Sequence, residues 1–224
     1  MIDKSLIFQE LGDAAVVWCG GDSDSGELAQ VAQMVAERGV DILSVVPDAV
    51  RVLWPWLEKE NVKIMGRFYF PDIKITEEQI SDVTVRINAM FKNGGSGAQV
   101  FLPYGALSNL VEQTHVIRDD LFFNKYLSIG VDICEIDAEN YNELFEELKK
   151  INASSLVLFM TRDDGNKSDF VGRLYGLLNT WDADFNGALH FYFGADFMRI
   201  EQAKRLVESI RPELAKKVKF FVNV

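Results

Sequence analysis

Eight short runs rich in β-branched and aromatic residues recur along this chain at intervals of about 30 residues. Each interval has room for one strand, one helix and two short loops. This periodicity constrains the fold more than any other feature of the sequence. The runs span residues 14–19, 41–46, 62–70, 98–104, 126–133, 155–160, 187–193 and 218–224.

The segments between these runs carry apolar residues at helical spacing. Segment 141–151 has a continuous apolar stripe, with charged residues elsewhere around the helix. The first segment begins with Asp24 three residues before Glu27, a spacing typical of a capping box. It ends before Gly39, where a C-terminal glycine is favoured. Pro55 is expected to end or bend the helix that begins near Asp48.

Strict alternation of strands and helices predicts a mostly parallel sheet covered by helices. Eight units favour a closed (β/α)8 barrel of the TIM type over an open doubly wound sheet, for which no dinucleotide fingerprint is present. No linker divides residues 1–224, so we expect one barrel domain. Because the sequence ends inside the eighth run, the usual last helix is expected to be missing. The apolar segment 6–11 is a candidate to cover that gap or the barrel floor.

Charge and composition exclude several classes of function. The net charge is −11 and the sequence pI is about 4.7, without a basic run, which argues against nucleic-acid binding. No apolar run approaches the roughly 20 residues that span a bilayer, and the first residues lack a signal-peptide pattern, so we expect a cytoplasmic protein without a membrane partner. Cys19 and Cys134 form no CxxC pair and are expected to be reduced thiols.

Alternate residues of a barrel strand point to the lumen and to the helices. In the third, fifth and seventh runs one of the two sets of alternate residues, or phases, is apolar and should face the helices. The opposite phase then directs Arg67, Asp132, His190 and Tyr192 into the lumen. Because alternate strands contribute to the same side-chain layers, we expect these residues to meet. Weaker inward candidates on the even-numbered runs are Ser44, Gln99 and Asn223.

Two interpretations of this polar set remain open. In the functional one, Arg67 binds an anionic substrate group, Asp132 and His190 act as acid and base, and Tyr192 completes the catalytic set. In the structural one, Arg67 and Asp132 form a buried ion pair and His190 is a neutral core residue.

Three loops follow strands on the face where barrel enzymes place their sites. Residues 19–27 (CGGDSDSGE) offer Gly20 and Asp22 for substrate binding, although Asp22 and Asp24 would repel a phosphate unless a cation such as Mg²⁺ intervened. A capped loop that opens a helix is the alternative.

The other two loops are residues 161–169 and 193–197. Arg162 is a candidate for holding substrate, although a solvated loop of mixed charge needs no function. Gly194 offers a backbone donor after the seventh strand. The other half of such a phosphate site would follow the eighth strand, and the sequence ends inside the eighth run, so a standard phosphate site is not expected.

Several absences narrow the chemistry. No lysine lies late in any strand, which argues against a Schiff-base aldolase. His115 and His190 are the only histidines, which excludes a histidine-rich metal centre, and no cofactor motif is present. We therefore expect neither a metal nor a cofactor.

The sequence thus predicts a small lyase or isomerase that applies acid–base chemistry to a small anionic metabolite at the C-terminal mouth of the barrel. The alternative is a catalytically silent barrel used as a binding or assembly module. An open pocket that reaches Arg67 and His190 would favour the enzyme, whereas a plug of Phe and Trp side chains would favour the module. A homodimer through an apolar stripe left by the missing helix is a further expectation.

Overall fold

The computed structural model describes residues 4–21, 23–121, 124–160, 167–194 and 196–224. Eight parallel strands, each paired with the next and the last with the first, form a closed barrel. This confirms the predicted (β/α)8 barrel over the open sheet. The strands are β1 Ala15–Trp18, β2 Ile42–Val45, β3 Lys63–Tyr69, β4 Gly97–Phe101, β5 Tyr126–Asp132, β6 Ser155–Phe159, β7 Ala188–Tyr192 and β8 Val218–Asn223.

Helices surround the barrel, and one precedes the first strand. They are α1 Lys4–Leu11, α2 Ser25–Arg38, α3 Val50–Leu57, α4 Glu77–Lys92, α5 Leu107–Leu121, α6 Tyr141–Lys150, α7 Lys167–Asn179 and α8 Phe197–Ile210. Nowhere in the described ranges is a helix both long and apolar enough to cross a membrane.

The ends of α2 and α3 are as the sequence predicts. The Asp24 carboxylate accepts hydrogen bonds from the N–H groups of Gly26 and Glu27, and the Glu27 carboxylate accepts from the N–H of Asp24. Gly39 then ends α2 in the left-handed region, at φ 65°. α3 contains Pro55 and ends two residues later.

The N-terminal helix α1 packs against β8. Its Phe8 and Leu11 side chains are buried in the layer between the barrel and its helices. Through Phe8 and Leu11, α1 therefore covers part of the outer face of the barrel beside β8.

The core has two parts because alternate strand residues face opposite sides. The outer part lies between strands and helices and contains, for example, Leu189 and Phe191 of β7. The inner part fills the lumen with a separate apolar cluster. Its buried members are Val16, Ile42, Met65, Phe101, Val157 and Phe221, with Trp18, Phe159 and Tyr192 packed against them.

Candidate functional site

A cavity of about 350 Å³ lies at the C-terminal mouth of the barrel. Most of its wall is aromatic, and the rings come from residues that end their strands. Two carboxylates, Asp132 and Glu135, are the acidic groups in this wall. The aromatic members with inward phase are Trp18, Tyr69, Phe101, Phe159 and Tyr192.

These rings pack closely and fill the lumen below the mouth. Trp18 stacks on Tyr192 with ring centroids 4.1 Å apart, and Phe101 meets Trp18 edge-on at 5.5 Å. Phe221 contacts Trp18 from β8, also edge-on, at 5.5 Å. The mouth therefore has an apolar floor, which resembles the plug considered in the sequence analysis.

Arg67 lies beside this floor and is buried, with 4% of its surface exposed. One terminal N–H group donates to the Ser44 carbonyl at 2.8 Å and the other to the Cys19 carbonyl. The guanidinium carbon lies 4.1 Å from the centre of the Trp18 ring, an arrangement that favours a cation–π interaction. Arg67 therefore ties the ends of β1 and β2 together beneath the mouth.

No carboxylate pairs with Arg67 among the residues that the structure describes, and its Nε has no hydrogen-bond partner there. The ion pair between Arg67 and Asp132 required by the structural interpretation is not formed. Burial lowers the pKa of Arg67, while Tyr69, Cys19 and Tyr192 oppose that shift. Burial also raises the pKa of Tyr69, against the effect of Arg67, so its hydroxyl stays protonated at neutral pH.

Asp132 ends β5 and is buried, with 3% of its surface exposed. Its carboxylate accepts a hydrogen bond from the Cys134 N–H at 2.9 Å and thereby begins the short turn that follows the strand. Glu135, in that turn, accepts from the Tyr104 N–H at 3.1 Å. Both carboxylates are thus held by backbone donors at one side of the mouth. The sequence pointed clearly only to Asp132, since Glu135 lies beyond the strand.

His190 is not brought together with Arg67 and Asp132. It lines a second cavity at the opposite end of the barrel, formed by residues at or near strand starts such as Lys63 and Lys219. Phe221 lies between the two ends, since its ring contacts both His190, at 5.8 Å, and Trp18. Burial lowers the pKa of His190 to about 3, and Lys219 adds to this shift. The imidazole is therefore neutral at physiological pH.

The remaining predicted site residues lie outside the mouth cavity or outside the described ranges. Gly194 follows β7 with φ 61°, and a Cβ built there would lie 3.9 Å from the Asn223 amide nitrogen, so these two residues are neighbours. Neither they nor Gly20 line the mouth cavity. Asp22 and Arg162 lie outside the described residues.

Within the described ranges, no group of three or more His, Cys, Asp or Glu side chains is arranged to hold a metal ion.

The residues that sequence reasoning missed are the aromatic ones, Trp18, Phe101 and Phe159. Each is the last residue of its strand and shares the inward phase. An aromatic residue at that position on three strands was the signal available in the sequence.

Solved structures similar to this chain are (β/α)8 enzymes. A putative deoxyribose-phosphate aldolase from Coccidioides immitis superposes with a TM-score of 0.69 at 11% identity, covering 95% of this chain and 81% of its own. The deoxyribose phosphate aldolase from Aeropyrum pernix gives a TM-score of 0.67 at 9% identity, covering 96% and 86%. A 3-keto-L-gulonate-6-phosphate decarboxylase from Vibrio cholerae gives 0.58 at 14% identity, covering 92% and 86%.

Similarity at such low sequence identity shows the fold alone, so the chemistry has to be inferred from the residues of the site. No protein-family model matches the sequence, and no curated protein matches it either.

Proposed function

We propose that the C-terminal mouth is an active site for acid–base chemistry of the lyase or isomerase kind on a small anionic metabolite. The observation that carries this proposal is Asp132, a carboxylate fixed by a backbone N–H in the wall of a mainly aromatic cavity. A carboxylate held in a cavity wall can accept a proton from a substrate bound there, which is the role of a general base.

In this proposal Asp132 removes a proton next to a substrate carbonyl. The hydroxyls of Tyr69 and Tyr192, on which the charge of Arg67 already acts, donate hydrogen bonds to the carbonyl oxygen as negative charge develops there. Arg67 supplies the positive charge that favours an anionic substrate at this end. His190 lies too far away for this role, so the tyrosines take the part of the acid.

The proposal is tested by proton exchange next to a carbonyl. Dihydroxyacetone phosphate and pyruvate serve as probes in D₂O, with ¹H NMR as the readout. The wild-type protein should exchange the α-protons of at least one probe, and Asp132→Asn should slow that exchange by roughly 100-fold or more. Asp137→Asn is the matched control, because Asp137 lies five residues away and its side chain is 73% exposed. Exchange at the same rate in wild type and Asp132→Asn would overturn the proposal.

The aromatic floor favours a second candidate, a catalytically silent barrel that binds a flat molecule at the mouth. This candidate predicts saturable quenching of tryptophan fluorescence by the same probes, lost in Trp18→Phe, without any proton exchange. The homodimer expected from the sequence belongs with this candidate. It remains a prediction, against which a monomeric profile in size-exclusion chromatography at high concentration would count.

A further inference from the structure

The second cavity, at the N-terminal end of the barrel, has a volume of about 170 Å³, and most of the residues that line it are polar or charged. Three lysines line it, Lys63, Lys217 and Lys219, against one carboxylate, that of Asp41. This is a local excess of positive charge on a chain whose net charge is −11. The exposed side chain of Lys217 lies at its rim, so the cavity is open to solvent.

The three lysines differ in whether a carboxylate lies within ion-pair distance of the ammonium group. Lys219 donates to the Asp41 carboxylate at 2.9 Å and to the Asp13 carbonyl at 2.6 Å, so its charge is already compensated. The Lys63 ammonium lies 4.4 Å from the centre of the Tyr126 ring. Neither Lys63 nor Lys217 has a carboxylate within ion-pair distance in the described part of the chain. Among the described residues, therefore, two cations at this cavity have no counter-ion.

Two buried polar side chains in the cavity wall also have unused atoms. Gln99, 1% exposed, accepts a hydrogen bond from the Ser44 hydroxyl through Oε1, which leaves its Nε2 amide group without an acceptor in the described residues. Nδ1 of His190, 5% exposed, has no partner there either. Buried polar groups are nearly always hydrogen-bonded, and one that is left unpaired destabilises the folded protein. A ligand in the cavity would satisfy them.

We propose that this cavity binds a small oxyanion, a phosphate or a short carboxylate, held by the Lys63 ammonium and the Gln99 amide.

Each feature of the cavity fits an anion of that size. Its volume is below the roughly 300 Å³ at which sites for drug-sized molecules begin, so a phosphate or a two- to four-carbon acid is the appropriate scale. Ammonium and amide N–H groups donate to oxyanions and form short, charge-assisted hydrogen bonds. The neutral imidazole of His190 adds one N–H, and the Ser128 and Ser155 hydroxyls, 2.6 Å apart, lie in the same wall.

Isothermal titration calorimetry with inorganic phosphate, in bis-tris chloride buffer at constant ionic strength, tests this proposal. A parallel titration uses malonate to cover the carboxylate case. We expect saturable 1:1 binding of at least one of the two anions. Lys63→Met and Gln99→Leu should each weaken that binding by tenfold or more. Lys74→Met is the matched control: it also removes one positive charge, but from an exposed loop after β3, at the other end of the barrel.

Three outcomes would overturn the proposal. Heat of dilution alone for both anions would show that the cavity holds only water. Equal weakening in Lys63→Met and Lys74→Met would show general attraction by charge. Binding that survives Lys63→Met but is lost in Tyr69→Phe, which removes a hydroxyl donor from the mouth wall, would place the anion at the mouth. Because the two sites lie at opposite ends, Asp132→Asn should keep its phosphate affinity whether or not the mouth is catalytic.

Discussion

Replacement of His190 by leucine should make the protein more resistant to acid. His190 is neutral in the folded protein because it is buried and lies near Lys219 and Lys63. In the unfolded chain the same imidazole is exposed to water and titrates at its ordinary pKa. The free energy of unfolding therefore contains a pH-dependent contribution from His190. Leucine removes this contribution and places no charge in the lumen.

The magnitude follows from the two pKa values, 6.5 ordinarily and about 3 in the folded protein. Below pH 6.5 the unfolded chain binds a proton that the folded protein does not, so acid favours unfolding. The free energy of unfolding then falls by about 1.4 kcal/mol for each pH unit. Between pH 6.5 and pH 5 the loss is about 2 kcal/mol, and it approaches about 5 kcal/mol near pH 3. The total free energy of unfolding of a typical domain is only about 5–15 kcal/mol.

Urea unfolding at pH 7, 6 and 5, followed by circular dichroism in chloride buffers, measures the effect. Both proteins retain His115, so its contribution cancels in the difference between them. At pH 7 the two stabilities should agree within about 1 kcal/mol, because leucine loses little packing and removes an unsatisfied Nδ1. The difference in free energy of unfolding between variant and wild type should shift by about 2 kcal/mol in favour of the variant between pH 7 and pH 5. Parallel stability curves would refute the reasoning, since they would mean that His190 is protonated or hydrated in the folded protein.

Three further substitutions probe the barrel and its helices. Arg67→Met removes the donors to two backbone carbonyls and should lower the free energy of unfolding by about 1–3 kcal/mol in urea melts. A variant as stable as the wild type would show that these two hydrogen bonds make no net contribution to stability. Gly97→Ala places a Cβ 2.4 Å from the Tyr126 carbonyl oxygen and should cost about 1–3 kcal/mol as β4 and β5 move apart. Gly172→Ala, in α7 with nothing within 4 Å, should instead stabilise by up to about 1 kcal/mol. Thermal unfolding that ranks these two glycine variants in the opposite order would contradict the packing argument.

Much of the fold was predictable because it depends on local chemistry. Seven of the eight strands begin and end within one residue of the runs found in the sequence, and β4 ends three residues before its run does. The agreement arises because β-branched and aromatic residues and the loops between them are local signals. The boundaries of α2 were predictable for the same reason: Asp24, Glu27 and Gly39 act through hydrogen bonds and backbone conformation within a single turn.

The candidate site was less predictable. Asp132 and Tyr192 were found because each ends a strand in the inward phase, and both line the mouth. The aromatic wall was overlooked because Trp18, Phe101 and Phe159 look like ordinary core residues when each strand is considered alone. Their contact depends on three strands that are far apart in the sequence.

The sequence by itself determined which side chains face the lumen, because that follows from the alternation of residues along each strand. Only the tertiary structure decided at which end of the barrel each of them lies. Neighbouring strands in a barrel are staggered, so height along the axis depends on inter-strand register as well as on position within a strand. His190 pairs with Lys219 near the start of β8, whereas Tyr192, two residues later, stacks on Trp18 at the end of β1. That register separates the neutral histidine and its lysines from the aromatic mouth, and so produces two cavities of opposite character.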